Sequence, residues 1–142
     1  FAEHHTNAHL ARAVVEGSVM DLRRGSEMLQ DQFGTRLKRL RIGGGGSRSD
    51  WSVQTVADVF NLPVEIPHSR ELSALGAAIN AAVAADIHPD HTRAAQEMVR
   101  IERTVEPIPA NVRTYDKLYR DGFLPAMDAL KPLYASIPVG SG

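Results

Sequence analysis

"LRIGGGGSRSDWSVQTVADVFNLPVEI", residues 40–66, sets an extended run, four glycines, a helical pattern and a second extended run in one continuous segment. Val53, Val56, Ala57 and Phe60 recur at i, i+3, i+4 and i+7, the period of one helix face. Ser47, Ser49 or Asp50 is available as N-cap, and Asn61 ends the helix. Leu37 to Ile42 reads as a strand running into the glycines. Pro63 to Ile66 reads as a second, closed by Pro67. Strand, helix and strand in this order predict a right-handed parallel crossover, and hence an α/β fold. Ligands of such sheets bind beyond the strand carboxyl ends, and the glycines lie at one of them.

Outward from this unit the pattern is mostly helical. Ala11, Val15, Ser18, Leu22, Gly25, Leu29 and Phe33 recur at steps of three and four, predicting a long helix from His9 to Phe33 with Gly34 as its C-cap glycine. After the second strand, Ser69 can cap a helix whose body, Glu71 to Ala85, is apolar or small almost all round, as burial against a sheet and other helices requires. Pro89 and Asp90 start a helix reaching about Ile101. Val105 reads as a brief extended segment, and Pro107 with Pro109 as a turn. Val112, Tyr115, Tyr119, Phe123, Met127, Leu130 and Tyr134 line one side of a last helix, with Pro125 as a kink.

Composition sets bounds. The 142 residues are 43% apolar and 23% charged, ordinary for one globular domain. The net charge of -1 gives no electrostatic case for nucleic acid or an anionic membrane as partner. The absence of cysteine excludes disulfides and thiolate metal sites and fits a cytoplasmic setting. The most apolar run, Ala74 to Ala85, is too short to span a bilayer, and no signal-peptide order opens the chain. A start at Phe1, close to helical patterning at His9, suggests a piece of something longer.

The glycines are followed too closely by a helix cap to be an interdomain linker. Glycine permits positive φ and removes the Cβ that would block a ligand, while the free N–H groups of such a loop and helix start attract phosphate oxygens. The stretch fails the P-loop, dinucleotide and hydrolase-elbow patterns, so spacing alone leaves a ligand-free strand-to-helix turn open.

A second element shifts the balance. "GGGSRSDWSVQTVADVFNLPVEIPHSRELSALGAAINAA", Gly44 to Ala82, resembles the carboxyl-terminal ATPase domain of the FGGY carbohydrate kinases, in the actin and sugar-kinase superfamily. Gln54, Ala57 and Asp58 match the family's Gln-x-x-Ala-Asp helix, and Glu71 with Ala74-Leu75-Gly76-Ala77-Ala78 matches the later acidic residue and Ala-Leu-Gly-Ala-Ala. "HLARAVVEG" at His9 to Gly17 is similar to the Arg-Ala-x-x-Glu-Gly helix ahead of the loop, and the likeness extends to "YDKLYRDGFLPAMDALKPLY". Where many relatives carry an aromatic residue two places before the glutamine, this chain has Ser52, with Trp51 displaced by one.

The resemblance implies part of an actin-like, ribonuclease H-like ATPase domain, with parallel strands and packed helices, over residues 1–142. It implies that Gly44, Gly45 and Gly46 contact the α-phosphate and ribose side of ATP and that Ser49 lies by the adenine. Gly76, Ala77 and Ala78 would give close packing of their helix near the nucleotide. It places the aspartate base, the sugar contacts and the γ-phosphate loop upstream, so no catalytic residue is expected here. Mg2+ is expected to be held mainly through the phosphates and the other lobe. The implied partners are ATP, a sugar or polyol substrate and the N-terminal kinase domain of the same protein, and a homodimer is left open. A nucleotide-gated module of the actin or chaperone type is the alternative.

Other candidates read as structural. Asp50 is expected to be a cap and Asp58 a structural residue of its helix. His4, His5 and His9, and His88 with His91, include metal-ligand spacings, but no cysteine or well-placed carboxylate completes either set, so solvated surface is the better reading. Tyr115, Tyr119 and Tyr134 are expected to face the core, and Lys38, Arg39 and Arg41 to form a solvated strand face.

Overall fold

The crossover expected between the glycines' two flanking strands is present. Strand β1 (Leu40–Arg41) pairs in parallel with β2 (Val64–Pro67), with Leu40 opposite Val64 and Arg41 opposite Glu65. Between them lie a 3-10 turn, Gly45–Arg48, and helix α2 (Asp50–Phe60). Asn61 closes α2 in the left-handed conformation, φ 51°. The computed structural model describes residues 5–69 and 71–136; Phe1 and His4, weighed above, lie outside them.

The apolar face of α2 sits on the sheet. Val53 and Ala57 meet Val64 and Ile66 in one buried cluster, with Leu40, Ile42, Val56 and Val105 at its margin. β1 is shorter than Leu37 to Ile42, because pairing extends only over Leu40 and Arg41. A third strand, β3 (Ile101–Val105), pairs antiparallel with β2 and gives the order β1-β2-β3. The sequence suggested extension only at Val105. As an edge strand largely exposed along both faces, β3 carries no clean alternation to read.

Helix α1 (Asn7–Phe33) spans the expected stretch and ends at Gly34, φ 61°. Its buried face differs from the expected one: Leu22, Leu29 and Phe33 are exposed, while Val15, Val19 and Met20 pack on Val59, Tyr115 and Tyr119. The reason lies in Arg23 and Glu27, which continue the buried face. Arg23 bonds Glu27 at 2.8 Å, Asp116 at 2.9 Å and the Val59 carbonyl at 3.0 Å, and stands 4.1 Å over the Tyr119 ring. An apolar count discards both positions, although their charges are matched and their stems pack.

Helix α3 (Leu72–Ala84) corrects another expectation. Apolar nearly all round, it packs on α4 (His91–Met98), but among its residues only Ala82 is buried. A Cβ on Gly76 would meet nothing within 4 Å, so the close packing expected at Gly76, Ala77 and Ala78 is absent. Asp90 caps α4, accepting from the Arg93 amide at 2.8 Å, and the helix stops at Met98, short of Ile101. The last helix runs as α5 (Pro109–Leu118), a π-helical turn Tyr119–Phe123, and α6 (Leu124–Ser136). The wide turn stands immediately ahead of Leu124 and Pro125, where a normal helix would set the proline ring against the carbonyl four residues back. Tyr115 and Tyr119 are buried as expected, whereas Tyr134 is exposed. No helix among the described residues is long and apolar enough to cross a membrane.

Candidate functional site

The glycine loop begins where β1 ends, and its glycines are not equivalent. At Gly43 an added Cβ would lie 2.5 Å from Cγ of Leu72, so α3 closes on the loop's base where only glycine leaves room. Gly44 has φ 73° and ψ -160°, a conformation essentially reserved for glycine. Gly45 and Gly46 enter the 3-10 turn, are exposed, and have open space where a side chain would stand. The loop is thus bare at its tip and fixed at its base.

Ser47 does the fixing from within. It is buried, its Oγ donates to the Gly44 carbonyl at 2.8 Å, and its amide donates to the same oxygen at 3.3 Å. Sequence reading offered Ser47 only as a cap. The capping residue is Ser49, whose Oγ accepts from the Ser52 amide at 3.3 Å. Ser49 is exposed beside the loop, so the four positions singled out by resemblance, Gly44, Gly45, Gly46 and Ser49, share one exposed surface. The first amides of a helical turn have no acceptor within it, and together with the α2 dipole they favour an anion at this end. Asp50, expected as a cap, is instead the first residue of α2 and pairs with Arg103.

The other end of α2 is buried and closed. Asp58 accepts from the Gln54 side chain at 2.9 Å, the Ile108 amide at 2.7 Å and the Asn111 side chain at 2.7 Å. Gln54 also donates to the Glu106 carbonyl at 3.0 Å. Ile108 is the N-cap of α5, so Gln54 and Asp58 dock the chain entering α5 onto α2. Ala57 is fully buried against the sheet cluster. Asp58 is buried and joins α2 to α5, the structural place expected of it.

Lys38, Arg39 and Arg41 are exposed, as expected of a solvated face, and the two arginines also share a partner. Arg39, just ahead of β1, and Arg41, within it, converge on Glu65, at 2.6 and 2.7 Å. The Arg41 hydrogen bond, helped by Arg39, holds the Glu65 carboxyl below its usual range against the effect of burial. Sequence reading missed Glu65 because Val64 and Ile66 defined its strand. Two arginines at i and i+2 beside a strand with one carboxylate were the available signal.

His9 and His88 have local partners. The Thr6 amide donates to His9 Nδ1 at 3.2 Å, and His88 Nδ1 lies 3.4 Å from Glu97. No three metal-binding side chains converge among the described residues. A cleft of about 420 Å³ behind α2 is bordered by Arg12, Trp51, Asn111 and Tyr115. Its Arg12 is already bonded to Glu16 at 2.7 Å and lies 5.8 Å from the Trp51 ring centre.

The chain thus presents a small mixed sheet with packed helices and a bare glycine turn where β1 ends. Comparison with solved structures agrees. A xylulose kinase from Lactobacillus acidophilus superposes with a TM-score of 0.79 at 25% identity, over 92% of this chain and 26% of that one. For a xylulose kinase from Rhodospirillum rubrum the values are 0.75 and 33%, over 95% and 27%. The fold is accordingly part of an actin-like ATPase domain. In sequence, the C-terminal domain of the FGGY family of carbohydrate kinases matches residues 2–85. The chain is 34% identical over 116 residues to the uncharacterized sugar kinase YgcE of Escherichia coli, covering 82% of this chain and 24% of the relative. It is also 34% identical over 115 residues to a glycerol kinase of Pseudothermotoga lettingae, covering 81% and 23%. The chain belongs to the FGGY family of carbohydrate kinases. It spans about a quarter of the length of these relatives.

Proposed function

We propose that residues 1–142 are part of the C-terminal, ATP-binding domain of a carbohydrate kinase that transfers the γ-phosphate of ATP to a sugar or polyol hydroxyl. The observation that carries this reading is the bare tip of the glycine loop, Gly44 to Gly46, exposed between the end of β1 and the start of α2. In this reading the loop amides receive the α-phosphate and ribose side of the nucleotide, and the Ser49 hydroxyl meets the adenine edge. The kinase names of the sequence relatives favour it over a nucleotide-gated module of the actin or chaperone type.

The remaining parts of the reaction belong to the N-terminal kinase domain of the same protein. That domain supplies the aspartate base and the sugar contacts, and Mg2+ is held mainly through the phosphates. Phosphoryl transfer depends on positioning and charge neutralisation, so the task of this chain is to hold the nucleotide while closure excludes water. Such an enzyme works in the cytoplasm, where ATP is supplied. The test is transfer of labelled γ-phosphate by the full-length kinase to a panel of polyols and ketoses. Transfer to one of them, with none by the 142-residue chain alone, is expected; turnover by the isolated chain would overturn the division of labour.

A further inference from the structure

Strand β1 has two residues and leads directly into the loop. Besides the two paired positions of the ladder, the Leu40 amide donates to the Pro63 carbonyl at 2.9 Å and the Ile42 amide to the Glu65 carbonyl at 3.2 Å. Gly43 follows at once. A short edge strand followed by glycines should fray, because few hydrogen bonds oppose the large backbone entropy of the segment beyond.

Glu65 supplies what the ladder lacks. It stands opposite Arg41 in register, is 8% exposed, and takes Arg39 on one carboxylate oxygen and Arg41 on the other. Exposed ion pairs usually contribute little, but here two exposed arginines, Arg41 in β1 and Arg39 just ahead of it, give charge-assisted bonds to one mostly buried carboxylate. The same residue therefore holds the end of β1 by its main chain at Ile42 and by its side chain at Arg39 and Arg41. The loop tip beyond is closed on itself by Ser47, and Gly45 and Gly46 have open space where a side chain would stand.

We infer that Glu65 is a positioning residue for the nucleotide loop, clamping β1 through Arg39 and Arg41 so that Gly44 to Gly46 present their amides in one fixed arrangement. The inference rests on the reading of that loop as the nucleotide site. It adds a residue that touches no ligand and acts through β1.

Two measurements separate the clamp from the reading beneath it. The first is amide hydrogen exchange on the 142-residue chain, following the bonded amides of Leu40, Ile42 and Ser47. Glu65→Gln is expected to speed these by about tenfold while the amides of Val56 to Phe60 change less than about twofold. Uniform acceleration, or none, would overturn the clamp. The second is steady-state kinetics of the full-length kinase, where Glu65→Gln is expected to raise KM for ATP by about tenfold and leave KM for sugar and kcat within about twofold. A parallel rise in both KM values, or an unmoved KM for ATP, would overturn it. Arg41→Lys keeps the charge and loses the guanidinium fork, so it should move the same readouts by less, and it serves if Glu65→Gln does not fold. Combined, the two changes should do little more than the larger alone; additive effects would contradict action through one contact. A wild-type kinase indifferent to ATP would defeat the nucleotide reading, while the exchange result would still decide whether Glu65 anchors β1.

Discussion

The two ends of α2 are made from one continuous run of sequence, and they are built on opposite principles. At the amino end, Gly45 and Gly46 are bare and Ser49 is exposed. At the carboxyl end, Asp58 is 2% exposed and spends its carboxylate on Gln54, Ile108 and Asn111. The contrast divides a family motif by physical role. The glycines are free to meet something outside the chain, whereas Gln54, Ala57 and Asp58 hold α2 to α5 and to the sheet. The Asp58 carboxylate, though it belongs to the motif that follows the glycine loop, has its hydrogen bonds within the fold.

The largest effect that would break this comparison is at the closed end. Asp58→Ala leaves the Ile108 amide and the Asn111 side chain without their acceptor in a buried place, at a cost of about 3 kcal/mol or more. Urea denaturation of the 142-residue chain measures it. A loss below about 1 kcal/mol would show that the α2–α5 junction does not depend on Asp58.

A smaller loss is expected where α1 meets the π-helical turn that follows α5. The Tyr119 hydroxyl donates to Glu27 at 2.7 Å, so Tyr119→Phe should cost about 1.5 kcal/mol. Burial first, and then this hydrogen bond, push the Tyr119 phenol up to about 12. A raised folded-state value favours the neutral phenol. Its contribution is therefore complete below about pH 10, the ordinary tyrosine value, and is lost as pH rises towards about 12. Tyr115, also raised by burial first, acts in the same direction. Tyr119→Phe should weaken the alkaline decline in stability without abolishing it, and an unchanged alkaline limb would contradict the assignment.

The smallest effect is expected on α3. With open space at Gly76, Gly76→Leu should shift the stability of this chain by no more than about 1 kcal/mol, in the stabilising direction set by helix propensity. A fall in Tm of several degrees would show that α3 is packed more closely than its exposure indicates.

Where sequence reading succeeded and failed follows from what each signal measures. The βαβ unit was legible because its strands, cap residues and C-cap asparagine are local signals lying within residues 37–67. The extent of α1 was legible too, but its orientation was not, since Arg23 and Glu27 occupy the buried face as a matched pair. The burial of α3 was misjudged because hydropathy indicates that a helix suits being covered and is silent on what covers it. At the candidate site, Ser49 and the glycines were visible as residue types suited to a phosphate-binding turn, and the family likeness gave them roles. Ser47 and Glu65 were not visible, because each acts by fixing backbone through contacts that exist only after folding.

The central claim, that the loop tip serves a ligand and not the fold, is tested most directly by Gly45→Val and Gly46→Val. Neither position has positive φ, and neither Cβ would meet a protein atom within 4 Å, so the 142-residue chain should keep its stability within about 0.5 kcal/mol. In the full-length kinase the same changes should raise KM for ATP at least about tenfold and leave KM for sugar within about twofold, because the added side chain stands where the nucleotide approaches. Equal rises for both substrates in a stable protein, or an unchanged KM for ATP, would contradict the account.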